Sequence, residues 1–294
     1  MDKCIEKYFL TGDKLKKSEE FDNFNTTKGK SLYEVIRIND GIPIFLIEHL
    51  ERLENSAKIM EYNLSVTRNE IIDRINKLIF ENKVNDGNIK LVINYDPLQH
   101  ISENTNIINE KFLVYFVPHS YPTQEQYTEG VKTITYHGER NNPNAKVINN
   151  EFRENVNLQI NSENAYEAIL VDNDGFITEG SRSNIFMVKG STVVTSKVEN
   201  VLPGITRQFI IKTCEKLNIK FEEKNIHESE LESLTGLFIS GTSPKVLPIK
   251  NVNEFSFNSS NNSIIKAIMK GYDDELKDNK QKAIKFNSNS TINK

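Results

Sequence analysis

The chain has 294 residues, 37% hydrophobic and 27% charged, which suits a folded globular protein with room for two domains, each with its own core. A formal net charge of -4 and a pI near 5.9 give no electrostatic case for nucleic acid or an anionic membrane surface, so a small-molecule partner is expected. Cys4 and Cys214 match neither a disulfide framework nor a zinc site, the five histidines show no ligand-type pairing, and neither a membrane span nor a signal-peptide core is present, so a cytoplasmic protein without metal is expected.

Residues 1–30 are polar and lysine-rich, with Tyr8-Phe9-Leu10 and Phe21 to Phe24 as apolar clusters, and read as an edge strand and a loop. Ser31 to Ile38 predicts a strand, and Asn39-Asp40-Gly41 a hairpin turn into Pro43 to Leu46. Leu46, Leu50, Leu53, Ala57 and Met60 recur at helical spacing, so 47–60 should be an amphipathic helix, with Arg52 beside its apolar stripe and Glu48 as an i,i+4 partner. A capping box, Thr67-Arg68-Asn69-Glu70, opens a second helix with Ile71, Ile75, Leu78 and Ile79 on one face. Strands 89–95 and 112–117 follow. Lys90 shares a strand face with Val92 and Asn94, where it reads as a solvated lysine as readily as a functional one.

His119 to Gln126 is a proline-bearing connector without periodicity, which divides the chain into a domain of residues 1–118, a linker of 119–126 and a domain of 127–294. A strand at 131–136, a loop from Arg140 to Lys146 and a helix at about 149–161 lead into the run from Ala168 to Val188. That run reads as a strand, a turn at Asn173-Asp174-Gly175 and a second strand at 185–188. Between them lies an island, Thr178-Glu179-Gly180-Ser181-Arg182-Ser183-Asn184, too polar for the core. A carboxylate followed by glycine and hydroxyls can aim one charge at a bound ring.

A hairpin at Lys189-Gly190 follows, and then Leu202-Pro203-Gly204-Ile205-Thr206-Arg207, a glycine-bearing turn into a helix carrying Phe209, Ile210, Thr213 and Leu217. Its amino terminus offers N–H groups suited to a dianionic phosphate, although a plainly capped helix would look the same. A strand at 220–223, a short helix near 228–234 and a strand at 236–240 deliver Gly241-Thr242-Ser243-Pro244. A final helix at about 263–276 leaves a polar tail from about 277 that reads as frayed.

Glu-His-Leu-Glu-Arg-Leu at 48–53, the island at 178–184, Leu-Pro-Gly-Ile-Thr-Arg at 202–207 and Ser-Gly-Thr at 240–242 together resemble the class IV aminotransferases, over about residues 31–250. These are pyridoxal-phosphate enzymes of fold type IV and include branched-chain and D-amino-acid aminotransferases and aminodeoxychorismate lyase. The resemblance implies a two-domain α/β fold, a smaller amino-terminal α/β domain and a larger carboxy-terminal pseudo-barrel domain, assembled as a homodimer. Lys146, 33 residues before Glu179 as in the lyase branch, would be the Schiff-base lysine. Glu179 would partner the pyridine nitrogen. Arg52, Ile205, Thr206 and Thr242 would hold the phosphate.

On the substrate side the resemblance implicates Tyr33, Lys90 and the backbone of Ser243, with Tyr33 read equally as a core or interface residue. Lys90 coincides with a lysine of the lyase branch and an arginine of the branched-chain enzymes. The chain departs from the family pattern at Asn149-Asn150-Glu151, where a tyrosine is expected, at Lys28-Gly29 in place of an aromatic-glycine pair, and at 96–103, which lacks a substrate-side arginine. The activity implied is amino transfer between an amino acid and a 2-oxo acid. The alternatives are 4-amino-4-deoxychorismate lyase and a member of the family with a non-catalytic binding role.

Overall fold

The structure, a computed structural model, describes residues 3–23, 31–94 and 112–292, with side chains up to 285. The departures at Lys28-Gly29 and 96–103 therefore lie outside the described residues, as do Phe24 and Tyr95. The chain forms two compact units, one drawn from residues up to Ser120 together with Ala145–Ile148, the other from Tyr121–Asn144 together with the residues from Asn149 onward.

The first unit is an antiparallel sheet with two helices. Its strands are β1 (Tyr8–Thr11), β2 (Lys14–Lys17), β3 (Leu32–Asn39), β4 (Ile42–Pro43), β5 (Gly87–Ile93) and β6 (Phe112–Val117), in the order β2-β1-β6-β5-β3-β4. Helices α1 (Leu46–Ile59) and α2 (Arg68–Asn82) pack on one face, where Leu32, Ile36, Ile38, Ile89, Leu91 and Val114 meet Leu50, Leu53, Ile71, Ile75 and Leu78. Each such side chain contributes roughly 1.5–3 kcal/mol when fully buried. The opposite face carries Phe9, Tyr33, Val92, Leu113 and Tyr115, so the strands bury side chains on both faces. Asp40 and Gly41 take φ of 52° and 72°, the left-handed pair that matches strand twist in a two-residue hairpin between β3 and β4. Thr67 and Glu70 form the expected capping box of α2.

The second unit holds a mixed sheet around strands β7 (Val131–His137), β8 (Glu167–Val171), β9 (Phe176–Gly180), β10 (Asn184–Lys189), β11 (Thr192–Thr195), β12 (Lys220–Glu223), β13 (Ile226–His227), β14 (Gly236–Gly241) and β15 (Lys245–Val252). Their order is β12-β11-β10-β14-β15-β7-β8-β9-β13, with β16 (Phe255–Ser256) paired to β15. β7 and β8 are parallel neighbours joined through helix α4 (Asn150–Ser162), whose Val156 and Ile160 pack on Ile134, Ala168 and Leu170. Helix α5 (Ile205–Lys216) buries Phe209, Ile210 and Cys214. The other apolar cluster gathers Ile169, Val171, Ile177, Ile185, Met187, Leu237, Ile239 and Leu247.

Three expectations change. The connector at 119–126 contains the start of a helix, α3 (Gln124–Glu129), capped by Thr123 and Gln126 in a second capping box; its exposed, polar sequence has no periodicity to betray it. The polar island is not a gap between two strands. Thr178, Glu179 and Gly180 belong to β9, and Glu179 and Gly180 are buried because neighbouring backbone and charged groups satisfy them. The tail from 277 continues helix α6 (Ser263–Ile292) rather than fraying, since lysine and glutamine are good helix formers even where no apolar face directs packing. No helix among the described residues is long and apolar enough to cross a membrane.

Candidate functional site

In the first unit, alternation along β3 turns Tyr33 and Val35 away from the helices and Glu34 toward them. β4 covers β3 only at Ile38 and Asn39, which leaves the other end of that edge open. Residues 145–148 take it. Leu32 and Val147 form an antiparallel bridge, Tyr33 N–H donates to the Lys146 carbonyl at 3.1 Å, and Ile148 N–H donates to the Ser31 carbonyl at 3.0 Å. Lys146 N–H in turn donates to Ser56 Oγ on α1 at 3.2 Å.

With its backbone held on both sides, Lys146 places Nζ 4.7 Å from the centroid of the Tyr33 ring. Lys90, from β5, places its Nζ 5.1 Å from the same ring. Lys90 is 7% exposed, so it is not a solvated strand lysine, and Tyr33 is buried as well. The sheet register thus collects Lys146, Tyr33 and Lys90, which are remote in sequence.

Arg52 does not pair with Glu48. It is buried against Glu34 in a two-point contact, Nε to Oε1 at 2.9 Å and Nη2 to Oε2 at 2.6 Å, and His49 Nδ1 lies 2.7 Å from the same Oε2. Burial pushes the Glu34 carboxyl up, but the Arg52 charge and the hydrogen bonds from Arg52 and His49 outweigh it and hold the group at about 2. Burial lowers the His49 imidazole despite its contact with Glu34. Neither Glu34 nor His49 is among the residues singled out from sequence. A signal existed: Glu34 occupies an even position among Leu32, Ile36 and Ile38, and a carboxylate on an apolar face needs a cation.

In the second unit Glu179 is 3% exposed near the end of β9. Between the pairs Val171–Ile177 and Ile169–Gly180, β8 advances two residues and β9 three, so an extra residue is accommodated at Thr178–Glu179. Such a bulge re-aims side chains at a strand end. The carboxylate accepts from Arg140 Nη1 at 2.8 Å and from the Leu202 N–H at 3.1 Å. Sequence alone places Arg140 only in a loop, and nothing local announces this pairing.

The loop that supplies the Leu202 N–H is stapled from two directions. Asn144 Nδ2 donates to the carbonyls of Val198 and Val201 at 2.6 and 2.7 Å, and Asn184 Nδ2 to that of Leu202 at 2.9 Å. Gly204 follows as the N-cap of α5 and offers no side-chain cap. A β-carbon there would stand 2.0 Å from Asn184 Oδ1, so the loop needs glycine for close approach. Ile205 and Thr206 therefore open the helix, and the Thr206 hydroxyl lies 3.2 Å from Tyr272 Oη. Thr242 and Ser243 occupy the turn from β14 to β15, where Tyr127 Oη donates to the Pro244 carbonyl at 3.0 Å.

Comparison with known proteins agrees with this architecture. The profile of the family Amino-transferase class IV matches residues 31–252. A D-alanine aminotransferase of Bacillus licheniformis is 30% identical over 227 residues, covering 76% of this chain and 80% of that protein. Aminodeoxychorismate lyase of Bacillus subtilis is 24% identical over 258 residues, covering 85% and 86%. Among solved structures, a T.th. branched-chain amino acid aminotransferase with pyridoxamine 5'-phosphate superposes with a TM-score of 0.78 at 20% identity, covering 92% of this chain and 94% of that one. The chain belongs to the class IV aminotransferase family and has the two-domain α/β architecture of fold type IV. Members of this family are pyridoxal-phosphate enzymes.

The residues present suit that cofactor. A dianionic phosphate could be met by a helix amino terminus without a side-chain cap, and a pyridine nitrogen by a buried carboxylate. An aldehyde could be met by a lysine amine held against an aromatic ring.

Proposed function

We propose that the protein is an aminotransferase that moves an amino group between an amino acid and a 2-oxo acid. The observation that carries this reading is the setting of Lys146, whose backbone is bonded to β3 and α1 while its amine lies over Tyr33. A lysine of the surface only would need no such support. Bound pyridoxal phosphate supplies the electron sink that makes a Cα–H bond acidic.

This chain's own residues do the rest. Lys146 would hold the cofactor through its amine and would move the proton between the substrate Cα and the cofactor C4′ as general base and general acid. Glu179 keeps the ring nitrogen protonated, with Arg140 and the Leu202 N–H fixing the carboxylate. The start of α5, with the Ile205 N–H and the Thr206 hydroxyl, Thr242 and Arg52 anchor the phosphate. Tyr33, Lys90 and the Ser243 backbone orient the substrate.

Lyase chemistry on 4-amino-4-deoxychorismate is a second reading, favoured by Lys90, which matches a lysine of that branch. The two are separated by purified protein with pyridoxal phosphate. An aminotransferase should show a near-visible absorbance band that is lost on adding an amino donor and regained on adding a 2-oxo acid. A lyase should release pyruvate from its substrate with no 2-oxo acid consumed. A protein with no band at all would overturn both.

The active species is proposed to be a homodimer. Sedimentation at micromolar concentration is expected to give twice the chain mass, and a fully active monomer would rule this out.

A further inference from the structure

Glu34 is a buried carboxylate on the helix-facing side of β3 with no part in the chemistry described above. The two groups it touches, His49 and Arg52, are buried with it. Burying an ion pair is a poor route to stability, because apolar side chains of similar volume often do as well or better. The apolar residues around it on β3, Leu32, Ile36 and Ile38, show what that face otherwise uses. The pair therefore needs a reason beyond packing.

Its geometry supplies one. The carboxylate takes the Nε–Nη2 edge of the guanidinium at two points, which fixes both the plane and the rotation of a group that a single contact would leave free to turn. His49 holds the carboxylate in turn. Because an ionised carboxylate only accepts, the 2.7 Å contact places the proton on Nδ1, and Arg52 Nη2 at 3.4 Å from that nitrogen is a neighbour rather than a donor to it. Strand β3, helix α1 and one imidazole thus converge on a single orientation of Arg52.

We propose that Glu34, steadied by His49, is a positioning residue that presets the Arg52 guanidinium for the cofactor phosphate, so that the protein selects the phosphorylated cofactor over its unphosphorylated analogue. This rests on the assignment of Arg52 to the phosphate. The arginine meets the ligand already oriented, and ordering a flexible side chain on binding is avoided.

The test reads the ratio of the dissociation constants for pyridoxal and pyridoxal phosphate, measured by titrating the cofactor-free protein. Arg52→Ala should cut that ratio by about ten- to a hundredfold, the scale of a hydrogen bond to a charged group. Glu34→Asp keeps the charge but shortens the reach by one methylene, and should lower the ratio by about tenfold. A merely structural role would weaken both ligands alike and leave the ratio unchanged.

An unchanged ratio in Glu34→Asp with a reduced one in Arg52→Ala overturns the role of Glu34 and leaves the proposed function standing. An unchanged ratio in Arg52→Ala overturns the phosphate assignment, and this inference with it. If Glu34→Asp does not fold, crystal structures of the parent protein with and without pyridoxal phosphate decide: Arg52 should keep both contacts to Glu34 in each. An Arg52 that leaves Glu34 to reach the phosphate would overturn the proposal.

Discussion

Replacing Lys146 by alanine is expected to abolish the near-visible absorbance of the loaded protein and its turnover while leaving the fold intact. The structural work of this residue is done by its backbone, through the bonds to Tyr33 and Ser56, and alanine retains both. The contact of its side chain with the Tyr33 ring is worth about 0.5–1 kcal/mol at a partly exposed position. Thermal unfolding of the cofactor-free variant should therefore lie close to that of the parent. A variant that keeps the absorbance band would show that another amine carries the cofactor, and Lys90, over the same ring, would be the next to replace.

The second large effect is expected at Glu179. Glutamine keeps the shape, and its carbonyl oxygen can still accept from the Leu202 N–H, but the charge is gone. Arg140 loses its ion pair; its side chain is 20% exposed, so solvent can take over part of that role. Cofactor binding should fall little. Each unit by which a carboxylate raises the ring-nitrogen pKa corresponds to about 1.4 kcal/mol, and a close pair shielded from water shifts it by several units. Removal of the Cα proton should accordingly slow by about a hundredfold or more. The check is a stopped-flow half-reaction with a Cα-deuterated amino acid, which shows whether proton removal limits the rate. A Glu179→Gln variant that reacts at the parental rate with a full isotope effect would sink the assignment.

How much of this could be read from sequence depends on the kind of signal each element carries. Helices α1 and α2 and the turn at Asp40-Gly41 announce themselves through apolar spacing, a capping box and residues that tolerate positive φ. Helix α3 and the continuation of α6 past 277 do not, because a polar sequence leaves no periodic trace. Strand β9 is obscured by its own contents: Thr178 and Glu179 look like loop residues until β8, the Leu202 loop and Arg140 are in place to bond them.

Single residues with family motifs around them, such as Lys146 and Thr206, can be put forward as candidates from sequence. The pairings cannot. Glu34 with Arg52, Arg140 with Glu179 and Asn184 with the Leu202 carbonyl each join residues 18 or more positions apart. The alternation of β3 limits Glu34 to one face but does not say which cation it will find there.

The short segment Ala145–Ile148 has a consequence for how this chain can be divided. The backbone passes from the first unit to the second, returns for four residues, and leaves again, three crossings in all. The two units are therefore not cassettes. A cut or a recombination crossover after Ser120 would yield an amino-terminal piece lacking Lys146, and a carboxy-terminal piece bearing Lys146 without the strand edge that it bonds. Fragment complementation would have to reinsert one short edge segment, and chimaeras between relatives should respect the match between residues 31–33 and 146–148 rather than the longer stretches on either side.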